Sequence, residues 1–213
     1  MSVRAKICGL TSEGMVDAAV EAGAAMTGFV FFPASPRALT PERAAALAAR
    51  VPAGVTKVAL SVDADDALLA EIVEAIDPGL LQLHGDETPE RVAEIREAFG
   101  VPVMKVIAIA GPDDVARART YERVADMLMF DAKPPKDATR PGGNALAFDW
   151  QLIRAETWEK PWILAGGLTP ENVAEAVRVS GALAVDVSSG VEDAPGVKNA
   201  RKIRAFLASV VDL

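Results

Sequence analysis

Short apolar runs and amphipathic segments alternate along the whole of this chain. The apolar runs lie near residues 3–8, 26–32, 56–62, 79–84, 102–109, 125–131, 161–165 and 182–187. They are apolar at successive rather than alternate positions, the pattern of strands buried on both faces. After each run, near 13–22, 41–50, 65–76, 88–98, 112–123, 149–156, 170–179 and 196–210, apolar residues recur at helical spacing. Three of the junctions share one grammar. "FVFFPASPRALTPE" (29–42), "LLQLHGDETPE" (80–90) and "PWILAGGLTPE" (161–171) each pass from an apolar run into Thr-Pro-Glu. A threonine cap, a proline at the first helical position and a glutamate in the first turn predict a helix start at each.

Strands alternating with helices imply a parallel sheet with right-handed crossovers. Eight such units predict an α/β fold, a single-domain (β/α)8 TIM barrel spanning residues 1–213, compact beside the ~250 residues typical of that architecture. An open doubly wound sheet is the competing arrangement, and the strand count favours the barrel. One long unpatterned stretch, "AKPPKDATRPGGNALA" (132–147), follows the sixth strand. A loop of that length after a strand reads as a lid, with a tolerated surface insertion as the alternative.

Composition narrows the function. Twenty-two Lys and Arg against 30 Asp and Glu give a net charge of −8, which argues against nucleic-acid binding. No apolar run approaches the ~20 residues of a membrane span, and "MSVRAKI" lacks the apolar core of a secretory signal. A single cysteine forms no internal disulfide, so a reducing cytoplasm is the expected compartment. A small anionic ligand remains compatible with the acidic balance if backbone N–H groups and a few placed cations hold it.

In a barrel the chemistry sits on the loops at the C-terminal strand ends, so the polar residues at those exits are the candidates. "LAGGLTPEN" and "VDVSSGVE" put Gly166, Gly167, Ser188, Ser189 and Gly190 after strands 7 and 8, the usual phosphate cradle of the fold. Cys8, at the first exit, reads three ways: a small buried hydrophobe, a nucleophile, or a proton-transfer base. Lys6 shares its face of the strand, and Asp186 on the neighbouring eighth strand is its expected partner. Asp131 tops the inward row Met127, Met129, Asp131. It is either a proton-transfer group facing Cys8 or a helix cap or partner for Lys133. Arg37 offers the planar fork that carboxylates match, or is a surface arginine. His84, the only histidine, is a lesser substrate contact or a satisfied neighbour. No metal-ligand spacing and no dinucleotide fingerprint are present, so no cofactor is expected.

Taken together, "KICGLT", "FVFFPASPR", "LQLHGDE", "PGG…FDW", "LAGGLTPENV" and "VDVSSGVE…PGVK", in this order from residue 6 to residue 198, resemble the phosphoribosylanthranilate isomerase family. The resemblance implies an isomerase of tryptophan biosynthesis that needs no cofactor. It would convert N-(5-phosphoribosyl)anthranilate to 1-(2-carboxyphenylamino)-1-deoxyribulose 5-phosphate by an Amadori rearrangement. It further implies that Cys8 is the general base and Asp131 the general acid, that Arg37 binds the substrate carboxylate, and that the glycines and serines of strands 7 and 8 hold the phosphate. His84 and Asp186 are carried as further substrate contacts. Ala145 departs from the family's Gly-Gly-Thr/Asn-Gly loop, which bears on the lid conformation and not on the chemistry. The oligomeric state is left between monomer and homodimer. Two other readings compete: another sugar-phosphate isomerase or epimerase, which would need a different base, and a non-catalytic sugar-phosphate sensor with a redox cysteine.

Overall fold

The computed structural model describes residues 3–133, 142, 147–211 and 213. Eight parallel strands close into a barrel in sequence order: β1 (Arg4–Cys8), β2 (Met26–Phe31), β3 (Thr56–Ser61), β4 (Leu80–Leu83), β5 (Val103–Ile109), β6 (Met127–Ala132), β7 (Trp162–Leu164) and β8 (Ala184–Val187). β1 closes the ring by pairing with β8, with Lys6 opposite Asp186. The helices between and after them are α1 (Glu13–Glu21), α2 (Pro41–Ala48), α3 (Asp66–Ile76), α4 (Pro89–Phe99), α5 (Pro112–Ala118), α6 (Gln151–Arg154), α7 (Val173–Ser180) and α8 (Ala200–Val211). The open doubly wound sheet is thereby excluded, since a closed ring has no edge strand.

Strand alternation divides the core in two. Outward residues such as Ile7, Phe29, Leu81, Ile107 and Phe130 pack against Leu47, Leu69, Ile72, Ile95 and Phe206 of the helices. Each fully buried side chain of this size contributes about 1.5–3 kcal/mol. Inward residues, among them Met26, Val58, Leu80, Met104, Met129 and Ile163, fill the barrel as an apolar plug. Nearer the C-terminal mouth the plug gives way to a small cluster of Cys8, Val30 and Leu60. There the interior becomes polar, and the site begins.

The Thr-Pro-Glu grammar holds at two of its three occurrences. Thr40 and Thr88 cap α2 and α4, each hydroxyl accepting from the N–H three residues on at 3.2 Å, with proline in the first turn. At the third, the helix starts a turn later, at Val173. Asn172 competes with the helix: its side-chain oxygen accepts from Thr169 N–H and its amide donates to the Gly167 carbonyl. That ties the segment down as part of the β7 loop.

Three other expectations are adjusted. α5 stops at Ala118 and passes into a 3-10 turn, Arg119–Tyr121. α6 is a single turn. The segment before α8 is not helical: after a 3-10 turn (Ser189–Val191), β9 (Glu192–Ala194) and β10 (Val197–Lys198) form an antiparallel hairpin. The Pro195-Gly196 pair between them is an ordinary turn signal. The lid expected over 132–147 falls, apart from its ends and Gly142, outside the described residues, and so does Ala145. Among the described residues no helix is long and apolar enough to cross a membrane.

Candidate active site

A cavity of about 480 Å³ opens at the C-terminal mouth, bordered by Cys8, Arg37, Gln82, His84, Asp131, Asp186 and Ser188 among others. It adjoins a second of about 390 Å³, bordered by Gly166, Gly167, Ser188 and Ser189, and the two share Asp131, Gly142, Asp186 and Ser188. Every candidate residue borders one or the other except Gly190. That residue lies beneath the β7 loop, where any side chain would strike the Leu168 carbonyl. Its smallness serves packing between the loops after β7 and β8.

Cys8 lies in a charged setting despite being nearly buried. A carbon added at Gly28, next to it on β2, would stand 3.0 Å from both the Cys8 sulfur and the Lys6 Nζ. The bare strand position makes room for thiol and ammonium side by side. Lys6, fully buried, donates to Asp186 Oδ1 at 2.9 Å. Burial pulls the Lys6 ammonium toward neutrality, but Asp186 and Cys8 outweigh it, and Lys6 holds its proton more firmly than an ordinary lysine. For Cys8 the balance goes the other way. Burial pushes the thiol above its ordinary range, with Lys6 pulling it back and Asp186 adding to the rise.

Asp131 reaches the same cavity from β6. Its Oδ1 accepts from Ala132 N–H at 2.8 Å, and its Oδ2 stands 3.4 Å from His84 Nε2. It is neither a helix cap nor a partner of Lys133, which pairs with Asp114 instead. His84 Nδ1 contacts the Gln82 amide nitrogen at 3.3 Å. The Gln82 amide oxygen, buried against the cavity, has no hydrogen-bond partner among the described residues. Gly142 lies directly against His84 and Asp131, where a side-chain carbon would come within 2.6 Å of the imidazole.

Arg37 is not a surface arginine: it is 4 % exposed. Its Nε and Nη2 donate to the two carboxylate oxygens of Glu192, each at 2.7 Å. That bidentate grip leaves Nη1 uncommitted among the described residues, on a side chain that borders the cavity. Lys198, on β10, donates to Glu192 Oε1 at 2.6 Å and to the carbonyl and hydroxyl of Ser188 at 3.0 and 3.2 Å. Glu192 and Lys198 escaped the sequence reading. A buried pair six residues apart is visible only once the Pro-Gly turn is read as a hairpin.

At the far side, Gly166 and Gly167 both carry left-handed backbone (φ +88° and +62°), which two successive side chains would strain. Their backbone forms the wall of the second cavity opposite Ser188 and Ser189. Among the described residues no group of three or more His, Cys, Asp or Glu side chains is placed to hold a metal ion. The site can therefore offer a thiol beside an ammonium, a carboxyl group beside an imidazole, one uncommitted guanidinium nitrogen, and a glycine- and serine-lined recess.

Comparison with known proteins places this site in a family. A profile described as N-(5'phosphoribosyl)anthranilate (PRA) isomerase matches residues 5–209. The N-(5'-phosphoribosyl)anthranilate isomerase of Paramagnetospirillum magneticum is 58 % identical over 207 residues, covering 97 % of this chain and 96 % of that protein. The crystal structure of phosphoribosyl anthranilate isomerase from Thermotoga maritima superposes with a TM-score of 0.88 at 34 % identity, covering 99 % of this chain and all of that one. A further structure, of such an isomerase in complex with reduced 1-(o-carboxyphenylamino)-1-deoxyribulose 5-phosphate, gives a TM-score of 0.85 at 33 % identity with the same coverage.

Proposed function

The chain belongs to the N-(5'-phosphoribosyl)anthranilate isomerase family, and from that membership we propose a division of labour in its cavity: Cys8 is the base, Asp131 the acid, and two anion subsites hold the ends of the substrate. The reaction is the Amadori rearrangement of N-(5-phosphoribosyl)anthranilate in tryptophan biosynthesis. Its substrate is an aminoaldose closed as a furanose, with a phosphate at one end and a benzoate at the other.

Asp131, in its acid form, gives a proton to the furanose ring oxygen as the C1′–O bond breaks, leaving a Schiff base between C1′ and the anthranilate nitrogen. Cys8, as thiolate, takes the proton from C2′. The electron pair moves into C1′–C2′ and the C1′–N double bond opens, giving an enolamine that tautomerises to the ketone. Lys6 makes the thiolate attainable, since it is the ammonium that draws the buried thiol back down. The uncommitted Nη1 of Arg37 suits the benzoate, and the Gly166-Gly167 and Ser188-Ser189 recess suits the phosphate. Asp186 and His84 border the space between, where the sugar hydroxyls would lie. A reducing cytosol suits a base that is the chain's only cysteine.

The observation that carries this reading is that Cys8 and Asp131, from β1 and β6, border one cavity that continues into the β7–β8 recess. The test follows the decay of anthranilate fluorescence while substrate is generated from anthranilate and phosphoribosyl pyrophosphate by an auxiliary transferase. Cys8→Ala and Asp131→Asn should each lower kcat by roughly 10²-fold or more. Full activity in either variant assigns that role elsewhere.

A further inference from the structure

We propose that Glu192 and Lys198, on the hairpin after β8, are positioning residues that couple the two anion subsites, so that Arg37 and the Ser188 loop are held in register with one another. The proposal rests on the assignment of Arg37 to the substrate carboxylate and of the β7–β8 recess to its phosphate.

Three charged side chains lie in a row at the mouth. Arg37, Glu192 and Lys198 have side chains 5 %, 4 % and 0 % exposed. A buried charge left single is costly, so each fixes the next. Glu192 takes both Nε and Nη2 of Arg37, which fixes the guanidinium plane and decides which nitrogen is left to meet a ligand. The same carboxylate accepts from Lys198, whose two remaining contacts are the carbonyl and hydroxyl of Ser188. One carboxylate therefore joins the β2 loop to the β8 loop.

The hairpin is itself fixed to the β2 loop. At Gly196, in its turn, a side-chain carbon would come 2.5 Å from the Pro36 carbonyl oxygen, so the turn sits directly on the residue before Arg37. Gly196 N–H also donates to Glu192 Oε2, and Lys202 of α8 donates to the Glu192 carbonyl. The charge balance is delicate. Burial works against ionisation of both Glu192 and Lys198: Arg37 and Lys198 hold the carboxyl below its ordinary range, whereas the Lys198 ammonium stays below its own. Without the Glu192 charge, Lys198 would lose its counterion and release its proton more readily. Its hold on Ser188 would weaken, although among the described residues the Glu192 side chain makes no bond of its own to Ser188.

The test uses the full-length protein, with anthranilate and inorganic phosphate as separate probes of the two subsites, each titrated by calorimetry. Glu192→Gln acts on Arg37 directly and reaches Ser188 only through Lys198, so the deciding readout is phosphate, whose Kd should rise roughly fivefold or more. Lys198→Met acts on Ser188 directly and reaches Arg37 only through Glu192, so its deciding readout is anthranilate, expected to weaken by a similar factor. Because the two variants break one chain, the double variant should lose no more than the worse single. If Glu192→Gln weakens anthranilate alone and Lys198→Met weakens phosphate alone, the subsites are independent and the proposal falls. It falls equally if neither variant changes either Kd. Thermal melting identifies a variant that fails to fold, and the other then decides by its own readout. Arg37→Ala separates this from the underlying assignment: an unchanged anthranilate Kd there, or a wild type that binds neither probe, removes the subsite reading itself.

Discussion

Two lysines are buried in the strands of this barrel, on opposite faces of the sheet. Lys6 on β1 alternates with the outward Ala5 and Ile7, so it points into the barrel; Lys105 on β5 shares its face with Val103 and Ile107 and points out into the helix layer. Lys105 is saturated. It donates to the Leu83 and Gly85 carbonyls and to Glu87 Oε2 at 3.4, 2.6 and 2.7 Å, which uses all three of its protons. Glu87 in turn takes the N–H groups of Asp63 and Gly85, and the Tyr121 ring lies 5.8 Å from the ammonium. Lys6 makes one ion pair, to Asp186, and otherwise faces a thiol. Among the described residues, at the cavity that Cys8 and Asp186 border, Gln82 has an amide oxygen without a partner and Arg37 an uncommitted nitrogen. Both lysines offset the cost of burial, but only the Lys105 cluster is closed. A buried polar network complete in itself is architecture; one that leaves groups facing a cavity is arranged for a ligand.

That contrast predicts different failures. Lys105→Met strands Glu87 as an unpaired buried charge and should cost about 3–5 kcal/mol of stability, measured by urea denaturation, while kcat per folded molecule stays near wild type. A loss of activity without loss of stability would show that the cluster is not merely architectural. Lys6→Met should do the reverse. Asp186 borders the cavity and can be rehydrated there, so the stability loss should be the smaller of the two. The thiol, deprived of its ammonium, should titrate still higher. Each unit of that rise costs about tenfold in thiolate, so kcat/KM at neutral pH should fall at least that far. A variant with normal activity would exclude Lys6 as the group that makes the thiolate attainable.

The same contrast explains what could be read from the sequence. The order of eight strands and eight helices follows from hydrophobic period and the Thr-Pro-Glu caps, because those signals are local. Lys6 stood out because a lysine two residues before the only cysteine must share its face, and the ring closure supplied Asp186. Lys105 and Glu87 did not stand out, since their pairing depends on how the β4 loop folds back, which no local period encodes. The hairpin is hidden in the sequence for a related reason: its strands are three and two residues long, too short for a period, and the strong amphipathic pattern of α8 predicts a helix that already begins at Gly196. The third Thr-Pro-Glu misled because the deciding residue is Asn172, whose side chain serves the loop instead of capping the helix.

The finest test of an open network is to remove a member that opposes the function. Asp186 neutralises Lys6, yet its charge also pushes the Cys8 thiol up. In Asp186→Asn the Lys6 ammonium would lack its carboxylate, and the thiolate becomes its best available counterion. The Cys8 pKa should therefore fall. Because the proposed base acts when deprotonated, the rising limb of kcat/KM against pH should move to lower pH even though the height of the profile drops with the loss of the substrate contact proposed for Asp186. Cys8 is the only cysteine in the chain, so the rate of alkylation by iodoacetamide against pH reports the same titration without turnover. A limb that moves to higher pH would mean that Lys6 surrenders its proton once Asp186 is neutral. The ammonium would then depend on the carboxylate rather than on the thiolate, and Lys6 and Asp186 would form a closed pair of the Lys105 kind.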